Sequence, residues 1–230
     1  MGRLAQTLGL MNFHRTALIR FYDDLTDVGF NSPDRGAHVS AVTGMIGEDL
    51  LLGLLFHCVG RHNPPLNCVA LPDRCKAPGK KGKRLDAWIT IGENRVGQVE
   101  IKNWSAHSLG ESSLQLNATP EQLAAAAKRR WREFFGENDR MPESTRKVLH
   151  DMPVPERVAN RSFERWLCFW LPIAETEITP ITNAHIMGKE VNVFSASIYL
   201  RQLQENLLDL HVPRIEARLQ LLASLRADEA

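Results

Sequence analysis

Between Arg84 and Trp104, apolar and polar residues alternate at period two, which predicts two β-strands joined by a tight turn. On the first strand Leu85, Ala87, Ile89 and Ile91 share one face, and Asp86, Trp88 and Thr90 share the other. On the second, Val99 and Ile101 face one way and Gln98, Glu100 and Lys102 the other. The intervening Gly-Glu-Asn-Arg carries Gly92 and Asn94, residues that tolerate positive φ. Loop length decides the register. A three-residue loop, 92–94 or 93–95, places Asp86 opposite Glu100 or Lys102, whereas a two-residue loop turns Asp86 to the other face.

Elsewhere the pattern predicts helices around this hairpin. Residues 1–30 read as helical, with Leu10, Phe13, Ala17, Ile19 and Phe21 among the apolar positions, and the run from Asn31 to Gly36 breaks the chain. Residues 40–60 read as a second helix, because Met45, Glu48, Leu52, Leu55 and Val59 form one helical stripe. Glu48 then sits on the face expected to pack against the sheet, with Asp49 equally eligible for a role there. Residues 61–83 read as a proline- and glycine-punctuated loop enclosing a short strand at Asn67–Leu71. Thr119, Pro120 and Gln122 open a helix that runs to Phe135 and ends at Gly136, through an N-cap, a first-turn proline and a capping box.

Residues 136–162 read mostly as loop. Arg165–Ile173 is an apolar run with the character of a buried strand, and Val191–Phe194 is a final short strand. A helix at about 196–210 follows, from Tyr199, Leu203, Leu207 and Leu210, and a last one starts at Pro213 with Ile215, Leu219, Leu222 and Leu225 on one face. That stripe packs on the core or on a second copy, so a homodimer is one expectation. The mixed order predicts an α/β fold with a central mixed β-sheet flanked by helices. One domain is expected over residues 1–230, divided into an N-terminal helical extension (1–39), a core (40–210) and a C-terminal helix (211–230).

Composition changes this picture little. The chain has 230 residues, 43% hydrophobic and 24% charged, an ordinary globular balance, and a net charge of +1 that announces no nucleic-acid partner. No apolar run approaches the ~20 residues of a membrane helix. The N-terminal stretch lacks a signal-type apolar core, so a cytoplasmic protein with no membrane partner is expected. The cysteines, Cys58, Cys68, Cys75 and Cys168, form no CxxC pair, and with His57 and His62 their spacing matches no familiar zinc site.

The chemistry concentrates on the hairpin. In the favourable register Asp86 and Glu100 bring two carboxylates, and Lys102 an ammonium, onto one sheet surface. Close carboxylates repel and lose solvation when buried, and a divalent cation relieves both costs. Hard oxygen ligands suit magnesium. Lys102 would then offer positive charge where a phosphate or attacking water sits. The competing reading is an ordinary surface pair, Glu100 with Lys102, and Asp86 near a strand end.

Asp86, then Glu100-Ile101-Lys102 on the next strand, resembles the D…ExK motif of the PD-(D/E)xK nuclease superfamily, which includes restriction endonucleases, Holliday-junction resolvases and repair nucleases. Leu85 stands where the family's name has proline. The resemblance covers residues 40–200 in the order of elements and implies a restriction-endonuclease-like core. It implies Asp86, Glu100 and Lys102 as catalytic residues of a Mg2+- or Mn2+-dependent endonuclease. It further implies metal ligation by Asp86, Glu100, the Ile101 carbonyl and an acidic residue on the preceding helix, a place that Glu48 matches. One ion would activate water, and a second would stabilise the leaving oxygen.

DNA is the expected partner, with RNA not excluded. Lys80, Lys81, Lys83 and Arg84 make a basic arm leading into the Asp86 strand, and Lys128, Arg129 and Arg132 crowd the later half of the helix after Thr119. Both patches have blander readings, as a solvated loop and as complements to a helix dipole. His107 lies in a polar stretch that could cover the site. The alternatives to a nuclease are a non-catalytic nucleic-acid-binding or assembly module on the same fold, and a metal-dependent hydrolase of another phosphoester.

Overall fold

The computed structural model describes residues 10–27, 43–60, 68–71, 85–102, 114–136 and 143–224. Strand β1 (Leu10–His14) leads into helix α1 (Arg15–Asp27). A π-helical turn at Thr43–Gly47 opens α2 (Glu48–Gly60), and β2 (Cys68–Leu71) follows. The hairpin strands are β3 (Ala87–Ile91) and β4 (Arg95–Lys102), and then comes α3 (Pro120–Phe135). A short α4 (Glu143–Arg146) runs into a 3-10 turn at Lys147–Leu149. The remaining elements are β5 (Ser162–Phe169), β6 (Ile181–Ile186), β7 (Lys189–Ser195), α5 (Ala196–Gln202), β8 (Leu207–His211) and α6 (Pro213–Ser224).

A mixed sheet forms in the order β2-β3-β4-β5-β7-β6. The pairs β2/β3, β3/β4 and β6/β7 are antiparallel, and β4/β5 and β5/β7 are parallel. A parallel neighbour needs a long crossover, and the chain between β4 and β5 carries α3. The expected α/β architecture, a central mixed sheet flanked by helices, is therefore what the chain forms. On one face Ala87, Ile89, Val99, Ile101, Trp166 and Cys168 pack with Leu50, Leu51, Leu54 and Leu55 of α2. On the other, Leu167, Phe169 and Val193 meet Trp131 and Phe134 of α3 and Val148 of the 3-10 turn. The Thr119 capping box is present, with the Gln122 amide N–H donating to Thr119 Oγ1 and Gln122 Oε1 accepting from the Thr119 amide.

Several expectations need correction. Leu10–His14 is a strand, not the start of a helix, and pairs antiparallel with β8 from Leu10↔His211 to His14↔Leu207. Met11 and Phe13 turn toward the core while Asn12 and His14 are exposed, so period two holds here. The helix expected at 196–210 ends at Gln202. Leu207 and Leu210 mimic helical spacing with Leu203, but Leu208 and Leu210 are buried and Leu207 and Asp209 exposed, because this segment pairs with β1. Strand β6 falls in a stretch for which no element was expected, and it joins β7 through Met187 and Gly188, both at positive φ. Finally, residues 143–149 are helical rather than loop.

The spacing of Met45, Glu48, Leu52, Leu55 and Val59 predicts one apolar stripe on α2. Every residue from Asp49 to Phe56 is buried instead, because β8 covers the side turned away from the large sheet. Leu208, Leu210 and Val212 share that core, and a Cβ on Gly53 would meet Val212 Cγ1 at 2.8 Å. Among the described residues no helix is long and apolar enough to cross a membrane.

Candidate active site

The β3–β4 turn uses residues 92–94, with Gly92 at φ +62°, and the ladder runs from Ile91↔Arg95 to Ala87↔Val99. This is the three-residue loop that directs Asp86 toward Glu100. At the strand's end the pairing is offset, since the Asp86 amide also donates to the Val99 carbonyl at 3.1 Å. Two residues thus oppose one, as in a β-bulge, which re-aims a side chain next to a ladder. The Asp86 carboxylate accepts the Ile101 amide N–H through Oδ2 at 2.6 Å. Asp86 is therefore held against the main chain of β4 beside Glu100, and not simply by strand alternation.

Glu100 and Lys102 project from one face of β4, two residues apart, and are buried there. Lys102 Nζ lies 2.5 Å from Glu100 Oε1. A second cation reaches the same oxygen: Lys147 Nζ stands 3.5 Å away. Glu100 Oε2 is buried and accepts no hydrogen bond among the described residues. Such an oxygen is costly unless it meets a cation or carries a proton. Burial, and then the Asp86 carboxylate, push Glu100 up to about 7 against the pull of Lys102 and Lys147.

Glu48 opens α2 and is half-buried. Burial first, then the charges of Asp86 and Asp49, raise its carboxyl to about 7, with Glu100 adding to the rise and Arg214 opposing it. Three carboxyl groups, from α2, the end of β3 and β4, thus act on one another. Glu48 does not lie on the most deeply buried side of α2: the more deeply buried acid is Asp49, which pairs with Arg214 of α6 at 3.5 Å. Asp49 is engaged with the C-terminal helix, and Glu48 is an acid whose carboxyl is raised by the charges of Asp86 and Glu100.

Sequence reasoning missed Lys147, because its segment was read as loop. Its placement does have a legible half. Gln98 shares the Glu100 face of β4, is fully buried, and donates from Nε2 to the carbonyls of Val148 at 2.6 Å and His150 at 2.8 Å. Its Oε1 accepts the Met152 amide at 3.4 Å. A buried glutamine in an apolar strand announces such a partner without saying which.

Of the expected phosphate contacts, Lys128, Arg129 and Arg132 are exposed on α3, while their neighbour Arg130 is buried and paired with Glu133 at 2.6 Å. Lys80, Lys81, Lys83, Arg84 and His107 lie outside the described residues. Of the residues weighed for zinc, His57 Nδ1 is 2.5 Å from the Tyr199 hydroxyl, and Cys168 is fully buried, its thiol pushed well above the ordinary range by burial and by Asp86.

Among the described residues no three His, Cys, Asp or Glu side chains are gathered tightly enough to form a ready-made metal cage. The donor set does fit a hard divalent ion. It offers carboxylate oxygens only, one of them buried and accepting no hydrogen bond among the described residues, in a cluster where burial, and then the Asp86 carboxylate, raise both Glu48 and Glu100. Comparison with protein-family models, curated proteins and solved structures gave no match. What the fold and the site define is an α/β protein with a buried carboxylate–lysine cluster at the end of two adjacent strands.

Proposed function

We propose that this protein is a metal-dependent nuclease that hydrolyses phosphodiester bonds, with DNA as substrate and a restriction-endonuclease-like core of the PD-(D/E)xK type. The observation that carries the reading is the convergence of Asp86, Glu100 and Lys102 at one end of β3 and β4, with Glu100 Oε2 buried and accepting no hydrogen bond among the described residues. The element order supports it: an acidic residue opens the helix before the strands, the aspartate precedes β3, the Glu-Ile-Lys triplet closes β4, and a helix leads to a parallel strand.

Asp86 and Glu100 are the residues that would hold Mg2+ or Mn2+, with Glu48 and the Ile101 carbonyl as further oxygen donors. When bound, the ion supplies a Lewis acid for water and phosphate. The chain's own groups do the rest. The Ile101 amide fixes the Asp86 carboxylate. Lys102 orients Glu100 and places positive charge beside the reacting phosphate, where charge grows in the transition state. Lys128, Arg129 and Arg132 on α3, with Lys80, Lys81, Lys83 and Arg84 before β3, are assigned to the sugar–phosphate backbone, where contacts position the substrate without reading its sequence.

The test is incubation of the purified protein with plasmid, linear and branched DNA and with RNA, with and without Mg2+. Metal-dependent cleavage lost in Asp86→Ala is the expected result. A second reading, a non-catalytic nucleic-acid-binding or assembly module, is favoured by the close engagement of Lys102 with Glu100, which a purely structural buried pair would also show. Binding of DNA without cleavage under every metal condition would select it.

A further inference from the structure

Lys147 reaches the Glu100 carboxylate from outside the strand pair, and the way it is held there points to a task. Gln98 and Glu100 lie two residues apart on one face of β4. Gln98 binds the main chain at Val148, His150 and Met152, and Val148 is buried against the sheet beneath that segment. One strand face therefore anchors the 3-10 turn and receives its first side chain, Lys147. The two lysines on Glu100 Oε1 differ sharply. Lys102 is close at 2.5 Å and its side chain is 8% exposed, while Lys147 stands at 3.5 Å and is 31% exposed. The more distant, partly exposed lysine is the one that both touches the cluster and meets solvent, and its ammonium is a compact charge with three donors on a flexible stem.

Resting on the nuclease reading, we propose that Lys147 is a further active-site residue, whose ammonium contacts the phosphate of the bound nucleic acid next to Glu100. The two lysines then divide the work. Lys102 stays with the buried carboxylate, and Lys147 moves between Glu100 and a phosphate oxygen. Glu100 keeps Lys102 at 2.5 Å, so the more distant and partly exposed Lys147 ammonium exchanges Glu100 for a phosphate partner. No bond is made or broken by Lys147. It supplies charge and donors to an anion that binds beside it.

The experiment uses the full chain and a fluorescent DNA duplex in calcium, with affinity followed against salt for wild type, Lys147→Met and Lys147→Arg. Losing one phosphate contact lowers the slope of log affinity against log salt by about 0.9. Lys147→Met is expected to show that loss and Lys147→Arg to retain the wild-type slope. A lysine with a structural task alone would leave the slope unchanged, so a wild-type slope in Lys147→Met, or failure of the wild type to bind the duplex, overturns the proposal. Cleavage in Mg2+ by wild type and Lys102→Ala is read in parallel. It tests the nuclease reading by itself, because the salt slope needs no turnover.

Discussion

Lys102 and Glu100 sit two residues apart on β4 with Nζ 2.5 Å from Oε1, and both are buried. Burying an ion pair is not a cheap way to stabilise a fold, because desolvation offsets much of the attraction. A strand needing only stability would do as well with aliphatic residues at both positions. On the proposed nuclease reading the pair serves chemistry that needs the charges, and Lys102→Ala tests this. Single-turnover cleavage in Mg2+ is expected to fall on the order of 10²–10³-fold, the usual loss when one preorganised electrostatic donor is removed. Binding of DNA in calcium should change far less, since the contribution arises in the transition state. Lys102→Arg should not restore activity, because the guanidinium is bulkier and differently shaped. Cleavage at the wild-type rate in Lys102→Ala would sink the D…ExK assignment.

Asp86 is fixed by the Ile101 amide beside Glu100, so its removal takes one carboxylate from the site and leaves that amide without its side-chain acceptor. Calorimetric titration with Mn2+ is expected to show at least tenfold weaker binding in Asp86→Ala than in wild type. Equal affinities would remove Asp86 from the ligand set.

The metal-free protein should lose stability as pH rises. Glu48 and Glu100 stand at about 7 in the folded chain, above the ordinary glutamate value of 4.5 that applies when unfolded. A carboxyl raised on folding stabilises fully below its unfolded value, and that contribution is lost as pH climbs through the folded value. The melting temperature without metal is therefore expected to fall between about pH 4.5 and pH 7 and to level off above. Glu48→Gln should flatten the fall, because one of the two groups no longer ionises. Saturating Mg2+ should raise the melting temperature more at pH 7.5 than at pH 5.5, since a cation binds ionised carboxylates. A melting temperature that rises from pH 5 to pH 7.5 without metal would contradict the burial of these two groups.

Gln98→Leu should destabilise the protein without touching the carboxylates directly. It strands the Val148 carbonyl and the Met152 amide in a buried place, and takes the donor from the part-buried His150 carbonyl. A cost of about 1–3 kcal/mol per group left unsatisfied is usual, moderated where the segment relaxes into water. Urea denaturation gives the number, and a midpoint equal to wild type would mean that the clamp holds nothing.

The local features of this chain were legible in its residues. Alternation between Leu85 and Lys102 gave the hairpin, Gly92 allowed its three-residue turn, and alternation put Glu100, Gln98 and Lys102 on one face. The capping box of α3 was equally plain, and so was a mixed α/β architecture. These depend on periodicity and on backbone geometry within a few residues.

Tertiary structure decided what distant segments do to one another. Leu10–His14 is a strand because β8 pairs with it, and α2 is buried all round because β8 covers its outer side. Asp49 rather than Glu48 is tied down because Arg214 of α6 reaches it. Lys147 arrives at Glu100 because Gln98 captures the chain 50 residues further on. No window of sequence holds these partners together, since a buried donor or an apolar strand states only that a partner is needed. Which partner comes is fixed by the shape of the whole core.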